Sequence, residues 1–500
     1  MPAILQLHWL DWTIVGLYFA AMIAIGVRAM RKVKNIDDYY TGGQSFGRLL
    51  MILYAFGAGT HADSAVGVTS QSYRLGMAGI WYQWIQIFNT PLYWLLSPVF
   101  RRARCTTTAD FYEMRYGPSL GLLYGFMGIV VNIGYLSVAL LGSAKLIESL
   151  TNGYVGATTA TIAMTAAFLL YSIMGGLIAA VWNEVVQGTL TIVMSVLLVP
   201  FVWTAVGGVA GARSKIANID AAFSLTAPGE IGLFWIIAAM INQMFSVVAQ
   251  PHIMSNNAAG KTELDNRIGF CAGVTLKRVC TICWALTGVL AMAYYGADTM
   301  DGDHVFGALV RDLLPRGFAG LMLASIMASV MDNGAVYVIT SSALFTRNLM
   351  RMAKKTPAFE TELLISRIFS VCFAIAGVAL TFLHTDVPAA MRFMFNLVPL
   401  IGISFWLGLW WRRANRYGAW ASFVASSLAL IVGTSVFEWT GNKHFPTLIT
   451  FYLACGLGAG VIISLLSRPE SPERLDRFFL TINTPVGQEE KLAQLTGDLA

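Results

Sequence analysis

AFGAGTHADSAVG at 55–67 and MINQMFSVVAQP at 240–251 interrupt two otherwise apolar runs with glycine, proline and polar residues. Gly57, Gly59, Thr60, His61, Asp63 and Ser64 fall inside the first run, and Asn242, Gln243, Ser246, Gln250 and Pro251 inside the second. A helix loosened in this way leaves backbone amides and carbonyls unpaired. Hydrocarbon tolerates that only where they line a cavity or hold something. Apolar stretches of about 20 residues, long enough to cross a bilayer, number about thirteen. They run approximately over 11–30, 49–73, 79–100, 120–150, 154–173, 177–206, 231–252, 270–296, 317–346, 363–383, 387–411, 417–437 and 446–466. The interrupted ones are the second and seventh. That spacing of five is what an inverted five-plus-five repeat produces, with repeats over about 49–206 and 231–411.

Composition agrees with an all-α integral membrane protein. The chain is 56% hydrophobic and only 12% charged, against about 25% charged for soluble domains. The net charge of +6 does not point to nucleic acid, because the basic residues gather at alternate loops. One set of loops holds Arg28, Arg31, Lys32, Lys34, Arg101, Arg102, Arg104, Lys261, Arg267, Arg347, Arg351, Lys354, Lys355, Arg412, Arg413 and Arg416, while the others carry few. With an odd number of spans, the positive-inside rule places the N-terminus outside and the C-terminus inside the cytoplasmic membrane. Residues 1–467 read as one transmembrane domain, and 468–500 as a cytoplasmic tail. The basic cluster follows the first span, the reverse of a cleavable signal. Cys280 and Cys283 form a CxxC on an apolar helix with no second pair, which reads as core packing.

Asp332 lies in GLMLASIMASVMDNGAVYVITSSALF, 320–345. A carboxylate at bilayer depth costs about 2.5–3.5 kcal/mol on insertion scales, and chains that keep one use it for ions, protons or substrate. Ser329, Asp332 and Asn333 fall at i, i+3 and i+4 on one helix face, and Ser325, Val336 and Thr340 extend it. Glu184 and Gln187, with Thr191, make a second polar face in the sixth span, a candidate cation pathway or a partner for a cytoplasmic cation. Gln83 and Gln86 share a face of the third span with Thr90. Together with His61, Asp63, Ser64, Asn242 and Gln243 they outline a midplane pocket for a small polar solute. These features indicate a carrier. A membrane-embedded enzyme is disfavoured, since no nucleophile motif or HExxH spacing is present.

Several segments resemble the sodium:solute symporter family, whose members carry proline, sugars, sialic acid, pantothenate and monocarboxylates. They are DDYYTGGQSFG at 37–47, TTADFYEMRYG at 107–117, GGLIAAVWNEVVQ at 175–187, QPHI at 250–253 and GLWWRRAN at 408–415. They stand in the family's order along nearly the whole chain. The resemblance implies the leucine-transporter-type fold, ten core helices in two inverted halves, with one helix before and two after.

By the same resemblance, the family's sodium site maps onto Gly57 and Thr60, as carbonyl donors, and onto Ser329, Asp332 and Asn333. Here the chain departs from the family, which has hydroxyl residues where Asp332 and Asn333 stand, and aspartate where Glu184 stands. Ala335 and Val336 replace the hydroxyls of a second sodium site. Sodium prefers hard oxygen ligands, as calcium and magnesium do, so these groups still suit it. The expected activity is secondary active symport of a carboxylate, amino acid or sugar-like solute by alternating access. Sodium is the favoured coupling ion and no other cofactor is implied. The alternatives are a proton in sodium's place, or a non-transporting solute sensor. Glutamines where sugar carriers have acidic and hydroxyl groups put a sugar in doubt.

Overall fold

The structure is a computed structural model that describes residues 8–30, 46–105, 107–257, 259–350, 359–488 and 490. Inside its helices the side chains of 170–183, 331 and 332, with a few others, lie outside the description. The segment 37–47 falls almost wholly outside it. Regular structure among the described residues is helical, with two isolated β-bridges. Eight of these helices are long and apolar enough to cross a bilayer, and a bent pair adds a ninth.

In chain order the helices that frame the site begin with α1 (Trp9–Met30), α2 (Arg48–Ala58), α3 (Ala62–Leu75), α4 (Asn89–Ala103), α5 (Thr108–Tyr116), α6 (Pro118–Leu150) and α7 (Ala157–Val206). There follow α8 (Leu233–Ser246), α9 (Pro251–Asn257), α10 (Glu263–Tyr295), α11 (Gly302–Leu313) and α12 (Phe318–Ala343). The chain ends with α13 (Phe359–Thr381), α14 (Val387–Leu397), α15 (Pro399–Trp410), α16 (Arg416–Ser435), α17 (Gly441–Leu466) and α18 (Pro472–Asn483). In the core α7 packs along α12, α10 lies against α2, α3 and α7, and α6 meets α11, α12 and α13. The α16–α17 pair sits to one side, against α15 and α8.

Both interruptions read from the sequence are present. The second span breaks over Gly59–His61, and its two parts are bent by 54°. The seventh runs as α8, a short 3-10 turn over Val247–Ala249, an extended Gln250, and then α9 starting on Pro251. Proline suits the first position of a helix because its missing N–H has no partner there anyway. One expectation fails. The sequence puts a boundary near Gly175–Gly176 between two spans, whereas α7 continues through it as one helix of 50 residues. Two glycines cost about 1 kcal/mol each relative to alanine, and good helix formers flank them.

Helix ends are closed by chain neighbours far apart in sequence. The buried Asp11 carboxylate accepts from the N–H groups of Gly317 (2.9 Å) and Gly320 (2.8 Å), so α1 caps the start of α12. An anionic acceptor suits a helix N-terminus, where orphan amides and the helix dipole both favour negative charge. Gly317, at φ +95, makes the turn into this cap, and a Cβ on Gly320 would stand 2.4 Å from Asp11 Cα. At the opposite end of the bundle the tail is less detached than its polarity suggests. Phe478 of α18 is fully buried against the Phe111 ring, 5.2 Å between centroids, and Arg104 donates to the carbonyls of Thr484 (3.3 Å) and Pro485 (3.0 Å).

A charged cluster ties α3 to α11 and α6. Asp301 receives Arg74 Nη2 at 3.2 Å and lies 3.7 Å from Lys145 Nζ. His304 bridges Glu148 (3.3 Å) and Asp301 (3.5 Å). The hydrogen bond to Asp301, then that to Glu148, raises the His304 pKa above its ordinary 6.5, while His304 holds Asp301 well below the usual carboxylate range. A raised pKa means that the folded state holds the proton more tightly. The His304 contribution is therefore complete below pH 6.5, the ordinary value, and is lost as pH rises through the folded-state value. Asp301 contributes above its ordinary 3.8 and loses that contribution as pH falls. His304→Gln should consequently lower the thermal midpoint most between about pH 4 and 6.5, and the deficit should shrink as pH rises. Unfolding curves of both proteins from pH 4 to 9 check this, and a pH-independent difference would refute it.

Candidate functional site

The break in α2–α3 lies at the centre of the molecule, and its two faces meet different chemistry. Its backbone is partly satisfied within the turn, since Gly57 O accepts from the N–H of Thr60 (2.9 Å) and from that of Gly59. His61, extended at φ −120 and ψ 171, is the N-cap of α3 but provides no side-chain cap. The Ser64 N–H is taken up by the His61 carbonyl at 3.0 Å, and the helix start remains a position whose dipole favours anions.

One face of the break meets α7. A Cβ built on Gly57 would stand 2.2 Å from Glu184 Oε2 and 2.9 Å from the Glu184 carbonyl, so glycine here is what lets α2 approach α7. Gln187 Nε2 donates to Thr60 O at 3.2 Å and to Thr191 Oγ1 at 3.0 Å. Thr191 Oγ1 lies 3.4 Å from Ser325 Oγ on α12, and Ser329 lines the same small cavity as His61 and Thr191. The sixth-span and ninth-span polar faces therefore form one seam that ends at the break. Along it Thr60 Oγ1, both Glu184 carboxylate oxygens, Gln187 Oε1 and Ser329 Oγ are buried without a hydrogen-bond partner among the described residues. Buried oxygens without donors are costly, and five along one seam form a donor set for a hard cation. Asn333, fully buried, turns its Nδ2 onto Ser329 O at 2.8 Å. The backbone of Asp332 lies in α12, and its side chain is outside the described residues.

The other face opens on a larger cavity, with about 60 Å³ open to the centres of water molecules, room for about four waters. His61, Asp63, Ser64, Gln83 and Gln86 all line it. Gln83 Nε2 reaches Ser64 Oγ at 3.5 Å. The sequence reading also placed Asn242 and Gln243 here, and the structure corrects both. Neither lines the cavity. Asn242 donates to Phe395 O (2.7 Å) and accepts from Tyr452 OH (2.6 Å), joining α8 to α14 and α17. Gln243 contributes its carbonyl to Asn89 Nδ2 at 3.1 Å. Both lie on α8, ahead of the 3-10 turn and the extended Gln250, and it is Val247, Gln250 and His252 beyond that helix that line the cavity.

Several lining groups carry no signal used in the sequence analysis, among them Lys277, Arg278, His252 and Tyr337. Lys277 and Arg278, each about 6% exposed, sit mid-helix in α10. Lys277 Nζ donates to the Gly59 carbonyl. Arg278 Nη1 donates to Gln83 O (2.7 Å) and Nη2 to Gln86 Oε1 (3.1 Å). Tyr337 of α12 joins the two breaks: its hydroxyl lies 3.1 Å from His61 Nε2, and its ring stands edge-on to His252, 4.8 Å between centroids. His252 in turn lies 3.1 Å from Asn132 Oδ1. The signal for the two cations was present in TLKRVC at 275–280, where adjacent charges inside an apolar span carry the same functional implication as Asp332.

The family model for the sodium:solute symporter family matches residues 39–425. Among similar proteins, the osmoregulated proline transporter OpuE of Bacillus subtilis is 25% identical over 476 residues, covering 91% of this chain and 94% of the relative. The sodium/pantothenate symporter of Haemophilus influenzae is 27% identical over 461 residues, covering 85% and 90%. Among solved structures, a Na+-coupled sialic acid symporter in a substrate-bound outward-open state superposes with a TM-score of 0.77 at 17% identity. That match covers 92% of this chain and 98% of the other. At that identity the likeness is one of fold.

Proposed function

We propose, because this chain belongs to the sodium:solute symporter family, that it is a sodium-coupled symporter for a small solute bearing a carboxylate. The observation that carries the solute class is the pairing of Lys277 and Arg278 with the uncapped start of α3 around one buried cavity. Two cations beside a helix N-terminus offer an anion what a neutral sugar cannot use. Similar proteins are named for proline and pantothenate, both carboxylates. Sodium binds on the opposite face of the break. Its ligands come from Thr60, Glu184, Gln187 and Ser329, with Gly57 allowing the close approach and Asp332 and Asn333 on the adjoining turn of α12.

In this reading the ion bridges the broken helix to α7 and α12, and so favours the conformation in which the solute cavity is assembled. Ion and solute each act only through different affinities for the outward-open and inward-open forms. An N-terminus outside, a C-terminus inside, and a single transporter domain over 1–467 followed by a tail complete the arrangement. The alternation of basic loops supports it.

The test is thermal unfolding of the purified protein with L-proline, pantothenate, sialic acid, lactate and myo-inositol, each in sodium chloride and in choline chloride. A carboxylate solute should raise the midpoint in sodium and not in choline. Equal stabilisation in both salts removes sodium coupling, and stabilisation by myo-inositol alone removes the carboxylate.

A further inference from the structure

We propose that Tyr337 couples the ion to the solute cavity. It is the positioning residue through which sodium on one face of the α2–α3 break orders the second break, at 247–250. The inference rests on the sodium-symport reading and adds the side chain that joins its two sites.

One polar face of α12 repeats every four residues, as Ser329, Asn333, Tyr337 and Ser341. Positions four apart stand one above another on a helix. The Ser329 end borders the ion seam, sharing the small cavity with Thr191 and His61. The other end meets both breaks. Tyr337 is fully buried, and its hydroxyl lies 3.1 Å from His61 Nε2. His61 follows directly on Thr60, whose carbonyl receives Gln187 and whose hydroxyl is one of the seam's buried oxygens. The Tyr337 ring stands edge-on to His252, 4.8 Å between centroids, with Tyr135 stacked on its other side at 6.3 Å. A parallel link anchors His252 to the same helix: Ser341 Oγ accepts from Asn132 Nδ2 at 3.0 Å, and Asn132 Oδ1 lies 3.1 Å from His252 Nδ1. The Tyr337 hydroxyl is what brings in the first break.

Both breaks are soft, because a helix that stops leaves amides and carbonyls to be held by neighbours. Helix α12 is continuous past both of them and packs on α2, α3, α7 and α9. An ion drawn between Thr60 and Ser329 fixes the first break against α12. The hydroxyl then holds His61 in register with the Tyr337 ring, and the ring seats His252. Gln250 and His252 line the solute cavity, so its wall is set before solute arrives. Solute acts back through the same side chain, since coupling between two sites is reciprocal. Such coupling needs an element whose equilibrium both sites bias, and the second break is that element.

The test is amide hydrogen exchange of the full-length protein, followed by mass spectrometry, in sodium chloride and in choline chloride at equal ionic strength. Sodium itself is the probe, and no solute is needed. In wild type, sodium should slow exchange about fivefold or more, the low end of ordinary coupling factors, over 57–64 and also over 247–257, a stretch that holds no proposed ion ligand. Tyr337→Phe keeps the ring and loses the hydroxyl. It should retain the sodium effect over 57–64, while that over 247–257 falls below about twofold. His61→Leu cuts the same contact from the other side and should lose the remote effect likewise. A tyrosine that only filled space would leave the sodium-dependent difference unchanged in Tyr337→Phe. Remote protection of wild-type size in either variant, whichever folds, overturns the proposal. Wild-type protection confined to 57–64 also overturns it and leaves sodium symport standing. Protection at neither break removes the sodium reading and the coupling with it.

Discussion

Glu184→Gln should abolish the sodium-dependent stabilisation of the purified protein, or weaken sodium binding at least tenfold, while leaving the fold intact. Glu184 is fully buried, both its carboxylate oxygens lack partners among the described residues, and it stands against Gly57 at the break. An isolated carboxylate in such surroundings is stable only with a proton or a cation beside it. The amide keeps the volume and one acceptor but loses the charge. At an effective dielectric of about 20, a unit charge 4 Å from an ion contributes about 4 kcal/mol, and screening by the neighbouring polar groups reduces that figure. Removing a buried unpaired charge also relieves its desolvation penalty, so the variant's midpoint in choline should be unchanged or higher. Sodium titrations of both proteins at pH 7 decide the matter. A variant with the wild-type sodium midpoint would take Glu184 out of the ion site and leave the coupling role to α12.

Arg115→Met should destabilise the protein by about 3 kcal/mol or more. Arg115 is fully buried and its guanidinium donates to Gly408 O (2.9 Å), Trp411 O (3.1 Å) and Ala414 O (3.0 Å), carbonyls at and just beyond the end of α15. Its charged centre also stacks on Tyr116 at 4.8 Å and lies 5.6 Å from the Phe478 ring of the tail helix. Methionine fills much of the space but takes the guanidinium donors from Gly408 O and Ala414 O, while Trp411 O keeps the N–H of Ala414 at 3.1 Å. Lysine does not rescue this, because a single ammonium cannot span the three carbonyls that the planar fork reaches. Denaturation midpoints of wild type, Arg115→Met and Arg115→Lys test the point, with limited proteolysis of the tail as a second readout. Wild-type midpoints in both variants would show that water replaces the guanidinium at no cost.

Much of this architecture is legible in the chain alone. The breaks at Gly59–His61 and at Gln250 are readable because hydrocarbon rarely tolerates glycine, proline and clustered polar residues inside an apolar run unless the helix is interrupted there. Gln83, Gln86, His61, Asp63 and Ser64 line one cavity, as their placement on polar helix faces within apolar spans leads one to expect. Asn242 and Gln243 fail by the same rule. A polar face in a membrane bundle also serves to join helices, and nothing local separates an amide that binds solute from one that holds Phe395 and Tyr452 together.

By itself the sequence determined the class of molecule, the positions of both helix breaks and the identity of the polar faces. These follow from hydrophobic length and local helix periodicity, which act within a few turns of chain. Which polar faces oppose each other was decided only in three dimensions. Glu184 and Gln187 lie against Gly57 and Thr60 because α7 packs on α2 and α12. Lys277 reaches Gly59 across 218 positions of sequence because α10 packs along the broken helix. The physical reason is that a charge buried in a bilayer is tolerated only through partners on other helices, and helix periodicity carries no record of which helix that will be.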